Sequence, residues 1–304
     1  MTVEAKAAPD RTVEGILWML VTGLLFVAVT GIVRHLGSDL PAIEAAFLRY
    51  LIGLILILPM ARPLLKRRVS GAAWRIYGLR GVVHGIAVML WFYAMARIPI
   101  AEVTAIGYTA PIFVAIGAAI FLGERIQTRR VLAILVAFVG AMIIIRPGFQ
   151  ELSYGQLAQM CAAPLFACSF LMAKRFTDSE ESGVIVFMLS LFCMLTLLPG
   201  AIWQWRPPTS EEVFWLALTA VFATLGHYTL TQAFKAAPIT VTQPVSFLQL
   251  VWATLLGMMV FGEAADPFVL LGGGIIVASA TYISHREAVL ARAARTPPAP
   301  ATKI

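Results

Sequence analysis

Residues 182–203 read SGVIVFMLSLFCMLTLLPGAIW, and no acidic or basic side chain interrupts them. As a helix rising about 1.5 Å per residue, such a run matches the hydrocarbon core of a bilayer, about 30 Å thick. A buried strand would need only about 4–8 residues, so the length decides for helix. Similar runs recur near 14–33, 41–60, 72–96, 102–121, 129–146, 153–174, 212–236, 240–261 and 267–285, separated by connectors rich in proline or charge, such as Asp39–Pro41, Arg62–Ser70 and Arg206–Pro208. Hydrocarbon leaves an unpaired backbone amide nowhere to turn, so only helices and closed barrels cross it. A barrel would show alternating segments of about ten residues, which are absent. The expected fold class is all-α integral membrane, with ten transmembrane helices.

Composition points the same way. Of 304 residues, 60% are hydrophobic and only 13% charged, against about a quarter charged in a soluble domain. That excludes a disordered chain, a coiled coil and any sizeable soluble domain. The net charge of +7 sits in short loops and not on a folded aqueous face, so the partners expected are the lipid bilayer and a small molecule, and no nucleic acid. Cys161, Cys168 and Cys193 all fall inside runs and form no CxxC or Cys/His cluster. No metal and no cofactor is expected, and without a phosphate-binding glycine loop no ATP is used directly.

With a cytoplasmic N-terminus, eighteen of the 23 basic residues fall on the cytoplasmic side, Lys66, Arg67, Arg68, Arg75 and Arg80 among them. Only Arg34, Arg97, Arg146 and Arg206 fall on the other side, and Arg49 lies in a span. This positive-inside bias places both termini in the cytoplasm. Residues 1–13 lack the pattern of a removable signal and read as a cytoplasmic tail. Residues 286–304 read as a basic, disordered C-terminal tail.

The chain also matches itself. Gly15 aligns with Gly155, Phe26 with Phe166, Phe47 with Phe187 and Leu58-Pro59 with Leu198-Pro199 at one offset. One residue of register later, Pro99-Ile100 aligns with Pro238-Ile239 and Gly123-Glu124 with Gly262-Glu263. Two repeats follow, 14–147 and 148–285, each of five spans. Because five is odd, the second repeat enters the membrane upside down. Inverted repeats suit alternating access around a midplane site.

The series Tyr93-Ala94-Met95-Ala96, Pro99, Ala101-Glu102-Val103, Pro111-Ile112-Phe113, Leu122-Gly123-Glu124-Arg125, Gly140 and Arg146-Pro147 resembles the EamA domain of the drug/metabolite transporter superfamily. The second half repeats it as Ala233-Phe234, Pro238, Val241 and Phe261-Gly262-Glu263, with Leu250 where the first half has Pro111. The resemblance implies a carrier of small metabolites in the bacterial inner membrane, with spans 1–4 and 6–9 around a cavity and spans 5 and 10 peripheral. Aromatic and neutral amino-acid exporters are the relatives it is most similar to, and aromatic or other neutral amino acids are the expected cargo. The alternatives are uptake or exchange of another metabolite such as S-adenosylmethionine, and a lipid-modifying membrane enzyme. The enzyme would need clustered acids, histidines or a metal site.

Ionisable groups inside lipid are costly and concentrate at functional positions. His84 and His227 qualify, either as neutral packing groups or as part of a site. Glu44 and Arg49, five residues apart, are candidates for a gating or internal ion pair, with a substrate-carboxylate role for Arg49 as the rival. Helical spacing puts Thr104 and Tyr108 on one face of span 4, and Gln243 and Phe247 on the matching face of span 9. Trp91 and Met95 on span 3, Gln249 and Trp252 on span 9, and Gln159 with Ser169 on span 6 complete the expected substrate lining. Gly123-Glu124 and Gly262-Glu263 read as a helix stop followed by an acid facing the positive end of the next helix. The small residues Ala133, Ala137, Gly140 and Ala141 of span 5, and Gly272–Gly274 and Ala278 of span 10, suit close packing within the molecule or in a homodimer.

Overall fold

The computed structural model describes residues 11–61, 70–110, 112–113, 116, 128–146, 151–174, 176, 180–237, 242 and 245–295. Within them run α1 (Thr12–Leu36), α2 (Ala42–Ile57, extended by a 3-10 turn at Leu58–Ala61), α3 (Gly71–Met95), α4 (Ile100–Gly107), α5 (Thr128–Ile145), α6 (Tyr154–Lys174), α7 (Ser182–Trp203), α8 (Ser210–Ala236), α9 (Leu248–Phe261) and α10 (Pro267–Arg295). Six of these, α1, α2 with its extension, α3, α6, α7 and α8, are long and apolar enough to cross a membrane. No strand occurs among the described residues. The chain is an all-helical, multi-pass membrane protein.

Helix ends follow local chemistry. Thr209 and Glu212 form a reciprocal capping box at the start of α8, each side chain accepting from the other's backbone N–H. Ser70 accepts from Ala73 N to start α3. Gly262, at φ 64°, ends α9 in the left-handed region that glycine enters without strain. α10 runs on to Arg295, past His285, where an unfolded tail was expected to begin. The stretch from Glu287 to Ala294 is rich in alanine, leucine, glutamate and arginine and holds no proline, so helix propensity carries it on.

Three pairs of counterpart helices from the two halves lie against each other and run in opposite directions. Along α2 and α7, Ile43 abuts Gly200 at one end and Met60 abuts Gly183 at the other. Along α4 and α9, Ile100 N donates to Glu263 while Tyr108 meets Phe247. Along α5 and α10, Gly140 meets Gly272, and Arg146 pairs with Asp266 further along. The second half is therefore the first turned over.

The remaining large interfaces are images of one another. α1 packs antiparallel on α8, with Gly15 against Ala237, a 2.8 Å Thr22–Thr229 hydroxyl bond, and His35 edge-on to Trp215. α3 packs antiparallel on α6 through Ile98 against Gly155, His84 bonded to Ser169, and Tyr77 stacked on Phe176. The Gly15/Gly155 match thus has a physical cause. A Cβ at Gly15 would lie 2.5 Å from that of Ala237, and one at Gly155 would lie 2.8 Å from Ile98 Cγ2.

α5 and α10 pack chiefly on each other, leaving Leu135, Phe138, Val139 and Leu271 exposed on the outside. Gly140 and Gly272 are used inside one molecule. A Cβ at Gly272 would sit 2.4 Å from the Gly140 carbonyl oxygen. Gly272→Val should therefore destabilise the protein by about 1–3 kcal/mol, the range for overpacking, as measured by unfolding in detergent. Gly274→Ala, with nothing within 4 Å, should stay close to the parent.

Candidate functional site

α3 presents Arg80, His84 and Trp91 along one stripe, because residues four and seven positions apart share a helix face. Around His84 the two halves meet. Its ring lies 5.4 Å from that of His227 on α8, 5.1 Å from Phe166 and 6.4 Å from Phe170 on α6. Phe26 on α1 stands edge-on to His227 at 5.3 Å. Trp91 contacts both Phe26 and Phe166, at 6.4 and 6.0 Å. Each histidine thus faces a phenylalanine from the helix packed on it, and the two phenylalanines are repeat counterparts. Trp91, Phe26, Phe166 and Phe170 remain half-buried. His84 Nδ1 shares a 2.9 Å hydrogen bond with the Ser169 hydroxyl, while its Nε2 has no partner.

Other expected lining residues gather elsewhere. Tyr108 donates its hydroxyl to the Ser246 carbonyl at 2.9 Å, and its ring packs on Phe247 at 5.0 Å. Thr104 donates to Ile100 O of its own helix. Both hydroxyls are thus committed within the α4–α9 junction. Gln159 is buried against Gly107 with Oε1 unpartnered. Met95 is fully buried core, and Gln249 packs beside Gly23. Trp252 is exposed on α9, so it does not join the central cluster. Gln243, like Pro111 and Glu124, lies outside the described residues.

The expected Glu44–Arg49 pair does not form. Five helical positions turn the second side chain well away from the first, whereas neighbours are three or four apart. Glu44 instead accepts from Arg206 N at 3.0 Å. Arg80, assigned from sequence to the cytoplasmic side, lies inside α3 and is 95% buried, at 5% exposure. Its place one turn before His84, inside the 72–96 run, was the signal that identifies it. Phe26 and Phe166 were visible only as a repeat match.

The two ends of the bundle differ. Where α1 and α9 end and α4 begins, Glu263 pairs with Arg34 at 3.1 Å and accepts from Ile100 N at 3.0 Å. Glu263 thus faces the start of α4, from the other half, and not the next helix as expected. Gln156 donates to Glu102, and Arg146 pairs with Asp266, at this same end. At the opposite end, α2, α7 and α8 part around a cleft of about 450 Å³ bordered by Met60, Glu181, Ser182, Tyr228, Gln232 and Lys235. The corresponding place at the sealed end, around Ala42 and Ala96, holds about 10 Å³. No group of three or more metal-ligating side chains occurs among the described residues.

Residues 13–146 and 153–285 each match the EamA-like transporter family. The chain is 31% identical over 290 residues to a riboflavin transporter of Vibrio cholerae, covering 93% of this chain and 96% of that one. It is 27% identical over 273 residues to an S-adenosylmethionine uptake transporter of Rickettsia bellii, covering 90% and 94%. A pseudopaline exporter of Pseudomonas aeruginosa is 27% identical over 288 residues, covering 91% and 98%. A solved crystal structure of 19% identity shares the fold with a TM-score of 0.59, covering 95% of this chain and all of that one.

Glu263 joins Arg34 on α1 to the first amide of α4. Glu263→Ala should cost about 2–4 kcal/mol, because it leaves a partly buried guanidinium and a helix-start N–H unpaired. A double-mutant cycle with Arg34→Ala should return a coupling of about 1 kcal/mol or more. Additive losses would mean that the pair carries no energy.

Proposed function

This chain belongs to the EamA-like transporter family, and from that premise we propose that it carries small amphipathic solutes, flat aromatic ones above all, across the bacterial inner membrane. It is a small-molecule transporter, and neither its family nor its relatives' names point to an enzyme. The cargo we assign is aromatic and other neutral amino acids, moved outwards by alternating access across ten spans. The observation that carries this reading is the half-buried cluster of Trp91, Phe26 and Phe166 around His84 and His227, at the meeting of the two inverted halves. Aromatic faces and edges of this kind bind a planar ring through offset and edge contacts.

With both termini cytoplasmic, as the charge bias proposes, the 450 Å³ cleft faces the cytoplasm and the Glu263–Arg34 end faces outwards. That arrangement is ready to load a solute from inside. Rocking of one half against the other would close the cleft and open its symmetry-related counterpart. A second reading follows from the riboflavin transporter of Vibrio cholerae, since an isoalloxazine ring is also flat and aromatic.

Purified protein in liposomes should exchange labelled phenylalanine, with methionine, riboflavin and S-adenosylmethionine as competitors. Trp91→Phe, which keeps a packed ring but shortens the anchor, should lower flux severalfold, and Trp91→Ala by about tenfold or more, with thermal unfolding checking that each variant is folded at the assay temperature. Unchanged flux in Trp91→Ala would remove the cluster from the route, and riboflavin flux without phenylalanine flux would replace the cargo.

A further inference from the structure

Two arginines lie deep in this bundle with no acid of the described residues beside them. Arg49 on α2 is 4% exposed and Arg80 on α3 is 5% exposed. No acidic side chain among the described residues lies within ion-pair distance of either, since Glu44 is bonded to Arg206 N and the ion pairs formed are Arg11–Glu14, Arg34–Glu263, Arg146–Asp266 and Arg206–Glu212. Arg49 Nη1, Arg80 Nε and Arg80 Nη1 are buried donors without a hydrogen-bond acceptor. Arg49 has partial compensation, its guanidinium lying 3.9 Å from the centre of the Tyr50 ring.

Both cations bear on the same two groups. Tyr50 on α2 and Cys193 on α7 each lie within electrostatic reach of Arg49 and Arg80. Cys193 ties α7 to α3 there by donating to the Gly81 carbonyl at 3.5 Å. His84 stands one turn beyond Arg80, with Nε2 free and its ring against the aromatic cluster. Buried polar groups are almost always satisfied, and a buried charge without a partner is costly. A protein that keeps two such cations in a membrane core is complementary to a negative group that arrives from outside. The guanidinium fork matches the two oxygens of a carboxylate or phosphate.

We infer that Arg49 and Arg80, with His84 at their edge, form an oxyanion-binding subsite that holds the carboxylate or phosphate of a solute whose aromatic body rests on Trp91, Phe26 and Phe166. This deepens the proposed function, on which it rests for its biological use. It sorts the cargo by charge: an amino acid carries the required carboxylate, and riboflavin has no carboxylate or phosphate.

The test is thermal unfolding of the full-length protein in detergent at fixed ionic strength, with phenylacetate, phenylphosphate or uncharged phenylacetamide. Stabilisation by phenylacetate, phenylphosphate or both is expected at concentrations about tenfold or more below any effect of the amide, the scale of a charge-assisted bidentate contact. A response to the carboxylate alone assigns an amino-acid-like head, and one to the phosphate alone assigns a phosphorylated cargo. Arg49→Gln and Arg80→Gln should each abolish the preference for the anion, and Arg80→Lys should keep part of it. If the glutamine variants do not fold, the comparison of anion with amide on the parent protein decides. No stabilisation by either anion, equal stabilisation by the amide, or an undiminished preference in both glutamine variants would overturn the subsite. Flux of uncharged solutes with no preference for anions would leave transport standing and remove the subsite. Anion-selective stabilisation in a protein that moves no solute would do the reverse.

Discussion

A backbone amide in hydrocarbon has no water to bond, and every large feature of this protein follows from that restriction. It forces the apolar runs into helices, each satisfying its own backbone. It removes the hydrophobic effect as the force between those helices, so they associate by close contact and by a few polar bonds. Gly15 on Ala237, Gly155 on Ile98 and Gly140 on Gly272 are the close contacts. Thr22 with Thr229 and His84 with Ser169 are among the polar ones. Because counterpart helices of the two halves run in opposite directions, the same contact occurs twice in opposite senses.

The scaffold is symmetric and its polar content is not. α1 on α8 and α6 on α3 are equivalent interfaces, yet His84 and His227 are not counterparts, and neither arginine of the core has a charged equivalent. At the repeat offset Arg49 corresponds to Leu189 and Arg80 to Thr219. In the proposed function a two-fold frame would let the halves exchange roles, and an asymmetric lining would let one face of the cargo be told from the other. The sealed end, closed by Glu263, Arg34 and Arg146, and the cleft bordered by Ser182 and Gln232 are the two expressions of that frame in one conformation.

The helices, the repeat and its inversion were legible because they rest on length, composition and parity, which sequence carries directly. Peripheral packing of α5 and α10 was implied by family resemblance, and their small residues pointed to close packing. The site was legible only in part. His84, His227 and Trp91 announced themselves as polar or bulky groups in apolar runs; the two histidines meet, and Trp91 joins them through Phe26 and Phe166. Tyr108 and Thr104 lie on the expected face, but spacing says nothing of whether a hydroxyl is spent on a nearby carbonyl. Arg80 was missed because a positive charge near the edge of an apolar run is normally a topology signal. Only its depth in α3 shows otherwise. Glu263 was assigned to the wrong helix because its partner, the start of α4, is distant in sequence and close only across the inverted interface.

Distances between spin labels at the two ends test the central claim most directly, that inverted halves expose one central site to either side in turn. Labels at Met60 and Lys235 flank the cleft, and labels at Asp39 and Arg97 flank the sealed end. In liposomes the account predicts two populations for each pair, with widening at one end matched by narrowing at the other as solute is added. A single unchanging distance at both ends, with and without solute, would contradict it.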